Sequence, residues 1–329
     1  MGRRSRRWWP TRRTGRRKIC RIRWPTGGCR SRCPRCASTR CCRSASSSVL
    51  TLVVATFFNA AFGIVVRGAQ RRDLDVLTVG FVNYLAAAAF YLGWSRLDGI
   101  STPDPRTVLI GSIGGVIYAG GFLLMLGPLR WRGLGIVAAL LGLSVLVPLS
   151  ASLLAWHETL RGAQIVGVTL ALLAIPLLSL DQGAMSDLRM TKLMALGMAA
   201  LFLANGGAWT IQKWYHTTGL DNERQVYFSY LFGVASLVML IAWLAKSRRI
   251  NLASLAWGAL LGVCNVTANL ALLLALDRLP GAVVFPVMQA GIMIVGALFA
   301  AIAWHERPGR MGAAGIAVAA AAVALINIV

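Results

Sequence analysis

The chain has 329 residues, of which 57% are hydrophobic and 14% are charged, and its mean hydropathy is +0.65. Soluble proteins contain about 45–50% apolar and about 25% charged residues, so this composition excludes an ordinary soluble domain. The net charge of +23 would by itself indicate a nucleic-acid-binding protein. Its distribution contradicts that interpretation, because residues 1–47 contain 16 of the 34 Lys and Arg residues and no Asp or Glu.

The first 47 residues are predicted to be a disordered basic tail, since like charges repel and few apolar groups can be buried. Two functions remain open for it. One is an arginine arm that contacts anionic lipid or RNA, and the other is a metal site that uses Cys29, Cys33, Cys36, Cys41 and Cys42, in which Cys33 and Cys36 have the spacing of a zinc-binding pair. A second Cys pair at the usual zinc-site distance is absent. A further alternative is that translation starts just before residue 48, although no Met lies between Met1 and Met125. We expect no metal, no cofactor and no nucleic-acid partner.

Residues 48–329 contain ten apolar stretches that are each long enough to cross a hydrocarbon core of about 30 Å. Charged residues fall between or at the edges of these stretches, as the cost of charge in a membrane requires. The predicted spans are 48–66, 76–94, 107–128, 134–155, 163–180, 193–212, 225–245, 253–276, 281–303 and 311–328. The sequence therefore predicts an all-α, multi-pass integral membrane protein.

An internal repeat relates the first five spans to the last five. The motif AWHE at residues 155–158 recurs at 303–306, an offset of 148, and earlier in each half an offset of 146 pairs Asn59 with Asn205. We predict two five-helix repeats, 48–180 and 193–329. Because five is odd, the second repeat crosses the membrane in the opposite sense. Such inverted repeats are the physical basis of alternating access.

Polar side chains within the spans are the candidate solute-binding residues, because a polar group in lipid is costly unless it is paired or faces a wet cavity. The candidates are Asn59, Asn83, Tyr84, Tyr118, Asn205, Tyr227, Tyr230, Asn265, Asn269 and Gln289. The alternative for each is an interhelical hydrogen bond, worth about 0.6 kcal/mol. Pro148 and Pro286 are candidate kink or gating residues. No charged residue lies in the middle of a span, which favours a neutral or zwitterionic polar solute.

The doubled motifs resemble the EamA-like branch of the drug/metabolite transporter superfamily. They consist of a loop Glu followed by a Gly-containing last helix, Glu158 with Gly167 and Glu306 with Gly315, and of the segments SVLVP at 144–148 and VFPV at 284–287. The resemblance implies a secondary transporter of small metabolites in the cell (inner or plasma) membrane rather than an enzyme. Its expected partners are a small solute, the lipid bilayer and, as an option, a second copy of the chain.

Two other functions remain open: a non-transporting membrane scaffold or sensor, and a proton-coupled drug exporter. The exporter is disfavoured because the first span has no acidic residue and Asn59 is its nearest polar group. Orientation depends on the tail. The loop charges of residues 48–329 alone place the N-terminus outside the cell, whereas the 16 charges of the tail reverse that preference.

Overall fold

The computed structural model describes residues 39–100, 102–131, 140–160, 162–180, 192–246, 251–303 and 309–327. The chain divides into two compact units, Met1–Cys42 and Arg43–Val329, and the second unit forms the helix bundle. The basic tail up to residue 38, with Cys33 and Cys36, lies outside the described residues.

All regular secondary structure in the described residues is helical. The α-helices, numbered in chain order, are α1 Thr39–Arg71, α2 Val76–Leu97, α3 Pro105–Trp131, α4 Leu146–Leu154, α5 Gly162–Leu180, α6 Lys192–Thr217, α7 Arg224–Lys246, α8 Leu252–Leu276, α9 Gly281–Ala303 and α10 Arg310–Asn327. They occupy the ten positions that the sequence predicted, so the all-α fold is confirmed.

Six segments are long and apolar enough to cross a membrane: Val49–Arg71, Val76–Leu97, Pro105–Leu126, Asp221–Lys246, Leu252–Leu276 and Gly281–Phe299. Three shorter apolar helices, Leu140–Leu154, Gly162–Ala174 and Arg310–Ala322, accompany them. In lipid the helix satisfies every interior backbone group within its own segment. This pattern supports the prediction of a multi-pass membrane protein.

Short polar side chains begin two of the helices. The carboxylate of Asp75 accepts a hydrogen bond from the amide of Leu77 at 3.3 Å and one from the Thr78 hydroxyl at 2.5 Å. The side chain of Asn251 accepts a bond from the amide of Ala253 at 3.0 Å at the start of α8. The bonds from the amides of Leu77 and Ala253 satisfy first-turn N–H groups that have no acceptor within the helix.

The helices pack in an order that interleaves the two halves of the sequence. Helix α2 packs on α7 and α8, α3 packs on α6 and α7, and α4 packs on α6 and α9. Helix α5 packs mainly on α10, and also on α9. The bundle core therefore lies where helices of the first half meet those of the second. Helices α5 and α10 pack mainly on each other.

Glycines set the closest helix contacts. A Cβ at Gly115 of α3 would lie 2.5 Å from the carbonyl oxygen of Leu231 in α7, and one at Gly258 of α8 would lie 2.9 Å from that of Val79 in α2. No side chain fits at these distances, so the backbones approach as small-residue membrane interfaces do. These glycines therefore allow close packing of α3 on α7 and of α8 on α2.

Several helix boundaries differ from the predicted spans. Helix α1 begins at Thr39, so residues 39–47, which were predicted to belong to the disordered tail, are helical, and α6 continues past residue 212 to Thr217. Helix α1 continues past residue 66 to Arg71, because a charged residue near a helix end can remain helical while its long side chain reaches a polar region. The fourth apolar segment is interrupted at Ser144 and Val145, just before α4. Pro148 has no N–H to offer the carbonyl of Ser144, which accepts instead from Val147 at 3.1 Å.

Candidate functional site

A cavity of about 310 Å³ lies between helices from both halves of the chain. Its walls come mainly from α1 and α3 of the first half and from α6, α8 and α9 of the second. Small-molecule pockets have volumes of about 300–1,000 Å³, so this cavity suits a small metabolite.

The cavity has two distinct ends. In α1 its lining runs from Asn59 to Arg67 and Gln70, that is, from the middle of the helix to its C-terminal end. We call this side of the bundle the Arg67 end. Successive helices alternate in direction, so the C-terminal ends of α4 and α6 and the N-terminus of α9 lie on the opposite side. We call that side the Glu158 end.

The floor of the cavity, toward the Glu158 end, is a buried chain of hydrogen bonds. The side-chain amide of Gln212 donates to the Tyr118 hydroxyl at 2.5 Å and to the Asn269 side-chain oxygen at 2.6 Å. The Tyr118 hydroxyl donates to the same Asn269 oxygen at 2.6 Å. Asn269 in turn donates to the Asn265 side-chain oxygen at 2.6 Å, and Asn265 donates to that of Asn83 at 3.2 Å. The chain joins α3, α6, α8 and α2 below the cavity.

Two amides, one from each half of the chain, line the cavity. Asn59 donates to the carbonyl of Ala55 at 2.9 Å, and Asn205 donates to the Ser144 hydroxyl at 2.5 Å. An amide offers both donors and acceptors, so this pair can bind a polar solute without carrying charge.

Gln289 differs from these amides in its hydrogen bonding. It is 6% exposed and lines the cavity, yet its side chain makes no hydrogen bond to any residue that the structure describes. A buried polar side chain in such a position is satisfied by water or by a ligand. Gln289 is therefore available to a bound solute.

Aromatic rings supply much of the remaining wall. Tyr84 lies against Phe122 in an edge-on arrangement, with ring centroids 6.1 Å apart, and donates its hydroxyl to the carbonyl of Tyr118 at 3.2 Å. Trp209 stacks on Phe285 at 6.1 Å. The rings of Tyr84, Phe122 and Trp209 line the cavity, so it combines flat apolar surface with a few polar groups.

One charged side chain lines the cavity among the residues that the structure describes. Arg67, half-buried in α1, borders it together with Gln70. The predicted first span ended at residue 66 and so placed this cation outside the membrane. Helix α1 continues past residue 66 and brings Arg67 to the cavity wall.

The Glu158 end is held together by an ion pair and a helix N-terminus. The ammonium of Lys213 in α6 lies 2.5 Å from a Glu158 carboxylate oxygen, and the two side chains are 6% and 14% exposed. Glu158 also accepts from the backbone amides of Gly281 at 3.1 Å and Ala282 at 2.8 Å, at the start of α9. A carboxylate is favoured there by the unpaired N–H groups and the helix dipole. This contact connects the segment after α4 with α6 and α9.

A second charged cluster lies at the same end. Asp277, at the C-terminus of α8, is 2.7 Å from Arg224 and 3.2 Å from the Nε2 of His216, and Arg224 also contacts Asp221 at 2.8 Å. Partial burial by itself raises the pKa of Asp277, but hydrogen bonding to His216 and the charge of Arg224 outweigh it. The pKa of Asp277 therefore lies below its ordinary value.

The structure places seven of the ten predicted site residues in the cavity wall. They are Asn59, Tyr84, Tyr118, Asn205, Asn265, Asn269 and Gln289. Asn83 is fully buried behind the floor, where it accepts from Asn265. Tyr227 is buried against Tyr215, with ring centroids 4.0 Å apart, and Tyr230 is 38% exposed on the outer surface of α7. These last three do not line the cavity.

The two prolines occupy different backbone settings. Pro148 lies in α4 directly after the interruption at Ser144, whose hydroxyl accepts from Asn205 of the cavity wall. Pro286 lies inside the continuous helix α9, three residues before Gln289. Both prolines are buried next to elements of the cavity.

Three polar residues of this site were missed by sequence reasoning. Arg67 and Gln70 follow the end of the first predicted span, and extending that span by one turn would have found them. Gln212 is the last residue of a predicted span and lies in the continuous helix α6, but it was not included among the candidates.

Comparison with known proteins gives a family for the first half of the chain. Residues 46–180 match the EamA-like transporter family. The resemblance predicted from the doubled motifs is thereby confirmed for that segment.

Two further similarities extend over most of the chain. An uncharacterized protein of Haemophilus influenzae is 23% identical over 275 residues, which cover 80% of this chain and 93% of that protein. A protein of known crystal structure has a TM-score of 0.63 at 17% identity, and the match covers 86% of this chain and 98% of the other. At this identity the second similarity establishes the fold alone.

Proposed function

We propose that this chain, whose residues 46–180 belong to the EamA-like family of drug/metabolite transporters, is a secondary transporter of a small neutral or zwitterionic polar metabolite. It acts in the cell membrane by alternating access between two inverted five-helix repeats. The observation that carries the proposal is the cavity of about 310 Å³ between the two halves, lined by amides, phenols and indole.

The two ends of the cavity support alternating access. The lining reaches the Arg67 end, whereas the Glu158 end is closed by the contacts of Glu158 with Lys213 and with the start of α9. In a transport cycle these contacts break while the helices close over Arg67 and Gln70. Opposite opening of two related halves around a fixed central site is how inverted-repeat transporters work.

The packing of the helices is consistent with two related halves. Under the repeat, α2 corresponds to α7, α3 to α8, and α5 to α10. Helix α2 packs on α7, α5 packs on α10, and the α2–α8 contact has its counterpart in the α7–α3 contact. These contacts support a pseudo-twofold relation between the halves.

The proposal is tested by solute exchange in proteoliposomes that contain the full chain. A library of radiolabelled amino acids, nucleosides and sugars first identifies a solute that exchanges. Alanine at Asn59, Asn205 or Gln289 is then expected to reduce its exchange at least tenfold, because each substitution removes an amide that can form a hydrogen bond with the solute.

Tyr230→Phe is the matched control, because Tyr230 lies on the outer surface of α7. It should leave exchange unchanged. Exchange that survives alanine at all three amides contradicts the assignment of the site, and a protein that exchanges no solute contradicts transport.

A further inference from the structure

The helix that precedes Glu158 is broken inside the bundle. At Ser144 and Val145 the helical pattern stops for two residues before α4 begins. Because Pro148 has no N–H, the carbonyl of Ser144 accepts from the amide of Val147 at 3.1 Å, and the amide of Val145 donates to the carbonyl three residues earlier at 3.4 Å. Both bonds have the short spacing of a 3₁₀ turn, which within a helix often marks a hinge.

An amide of the cavity wall holds this break. Asn205 of α6 donates to the Ser144 hydroxyl at 2.5 Å and to the carbonyl of Leu141 at 3.4 Å. The Ser144 hydroxyl donates to the same carbonyl at 2.7 Å. The next residue of α6, Gly206, packs directly on the break, since a Cβ there would lie 2.7 Å from the carbonyl oxygen of Ser144. The break is therefore fixed to α6 by a side chain that also lines the cavity.

The other end of α4 carries the Glu158 carboxylate as a tied extension. The amide of Trp156 donates to the carbonyl of Ala151 at 3.2 Å, and the amide of Glu158 donates to that of Ser152 at 3.1 Å. These backbone bonds attach the turn after α4 to the helix itself, so the carboxylate moves when α4 moves. Its contacts with Lys213 and with the start of α9 therefore hold the free end of α4 in place.

The contact between α4 and α9 is incomplete. The Ser152 hydroxyl is fully buried and makes no hydrogen bond with any residue that the structure describes. It lies against the start of α9, 2.8 Å from the position that a Cβ of Gly281 would take. A buried hydroxyl without a partner is costly, and movement of α4 away from α9 would return it to water. The closed position is thus held by the bonds of Glu158 rather than by a fully satisfied interface.

The two halves differ at the equivalent place. At the offset of 148, residues 144–145 correspond to residues 292–293, which lie inside the continuous helix α9. Asn59, the counterpart of Asn205, donates to a carbonyl of its own helix at 2.9 Å and to the Met288 sulfur at 3.8 Å, not to a break. Repeats that hold different conformations at one time are what alternating access requires.

We propose that α4 is the gate of the Glu158 end. It turns as one piece about the break at residues 144–145, where Asn205 holds the hinge, and Glu158 holds its free end. Opening separates α4 from α9 and exposes Ser152. Asn205 is a positioning residue of this gate, because it acts through Ser144. The inference rests on the proposed transport function and names the element that opens.

The test uses two thiol reporters in the full chain in detergent. The seven cysteines are first replaced, by serine in the tail and by alanine at the buried Cys264. Ser152→Cys then reports on the Glu158 end, and Gln70→Cys, in the cavity lining, reports on the Arg67 end. The rate of reaction with a hydrophilic methanethiosulfonate reagent is measured for each. Without further changes, Ser152→Cys should react slowly and Gln70→Cys rapidly, because water reaches the cavity from the Arg67 end.

Two variants are expected to open the gate. Asn205→Leu frees the hinge, and Glu158→Gln combined with Lys213→Met frees the end of α4 without burying a lone charge. Each should raise the rate at Ser152→Cys by about tenfold or more, because each removes bonds that stabilise the closed position. Each should also lower the rate at Gln70→Cys, because opening of one end accompanies closure of the other.

Thr210→Val is the matched control in α6, because its hydroxyl donates to a carbonyl of its own helix at 2.9 Å. Both rates should stay as they are without it. An unchanged rate at Ser152→Cys in both opening variants overturns the gate, and a rise in the double variant alone excludes Asn205 as the residue that holds the hinge. A rise at both reporters indicates local unfolding and also overturns the gate. None of these rates requires a solute, so failure of the gate is distinct from failure of transport, which appears as absence of exchange in proteoliposomes.

Discussion

Lys213 and Glu158 form a buried ion pair between α6 and the segment that follows α4, with 2.5 Å between the charged atoms. Glu158 belongs to the first AWHE motif, preceded by His157 at a positive φ of 49°. That backbone conformation is uncommon for a residue with a side chain, and it occurs at the turn that precedes the carboxylate. The motif that marks the repeat in the sequence is thus one side of the contact that closes the Glu158 end.

Glu158→Gln is expected to destabilise the protein strongly. A neutral amide leaves the ammonium of Lys213 buried without a counter-charge, and removing one partner of a buried pair costs about 3–5 kcal/mol. Thermal unfolding in detergent should show a clear drop in melting temperature. The double variant with Glu158→Gln and Lys213→Met should recover part of the loss, because it no longer buries a lone charge. A double variant no more stable than the single one would contradict this account.

Gly206→Ala is expected to destabilise the contact between α6 and α4. A Cβ there would lie 2.5 Å from the Cβ of Val147 and 2.7 Å from the carbonyl oxygen of Ser144. Overpacking of this kind costs about 1–3 kcal/mol and exceeds the gain in helix propensity, about 1 kcal/mol. Because Asn205 contacts Ser144 at the same place, solute affinity should fall with the melting temperature.

Gly207→Ala is the matched control for that substitution. It lies next in the same helix, and the nearest atom to its Cβ, in Ile117, would be 3.6 Å away. It should leave the melting temperature unchanged or raise it slightly. A loss of stability equal to that of Gly206→Ala would show that helix flexibility, rather than close packing, explains the first result.

The positions of the helices were predictable because charge avoids the membrane, so apolar stretches mark the spans directly. The same rule left Arg67 out of the predicted site. Arg67 was used to end a span, although α1 continues to Arg71 and carries that side chain along the cavity wall. A charged residue ends the apolar region of a helix without ending the helix.

Which face of a helix meets the cavity was less predictable. Helix α7 is apolar on all sides, so its sequence does not distinguish the face toward lipid from the face toward its neighbours. Packing decides the difference: Tyr227 is buried against Tyr215 of α6, whereas Tyr230 is 38% exposed. Asn265 and Asn269 were easier to place, since residues four apart share a helical face and their two amides bond to each other.

Gln212→Leu is expected to weaken the floor of the cavity. It removes the donor to both the Tyr118 hydroxyl and the Asn269 oxygen, at a cost of about 1–3 kcal/mol for buried groups left unsatisfied. Combined with Tyr118→Phe, the loss should be less than additive, with a coupling of about 0.5–3 kcal/mol, because the two side chains share one network. A double-mutant cycle of melting temperatures measures this coupling.

Thr210→Val is the control for the floor, because the Thr210 hydroxyl donates only to the carbonyl of Gly206 in its own helix, at 2.9 Å. It should change stability by less than Gln212→Leu. Fully additive losses in the cycle would mean that Gln212 and Tyr118 act independently.

Asp277 predicts a dependence of stability on pH at the Glu158 end. The pKa of Asp277 is lowered in the folded protein, so its contribution is fully present above the unfolded value of about 3.9. The contribution is lost as the pH falls through the lower folded value. Between pH 7 and pH 3 the melting temperature of the wild type should therefore fall more steeply than that of Asp277→Asn, which has no carboxylate to protonate.

Arg224→Gln removes the cation 2.7 Å from Asp277, so it should move the acid-induced loss of stability to higher pH. Equal slopes for the wild type and Asp277→Asn would mean that the contacts of Asp277 with Arg224 and His216 do not stabilise the folded state.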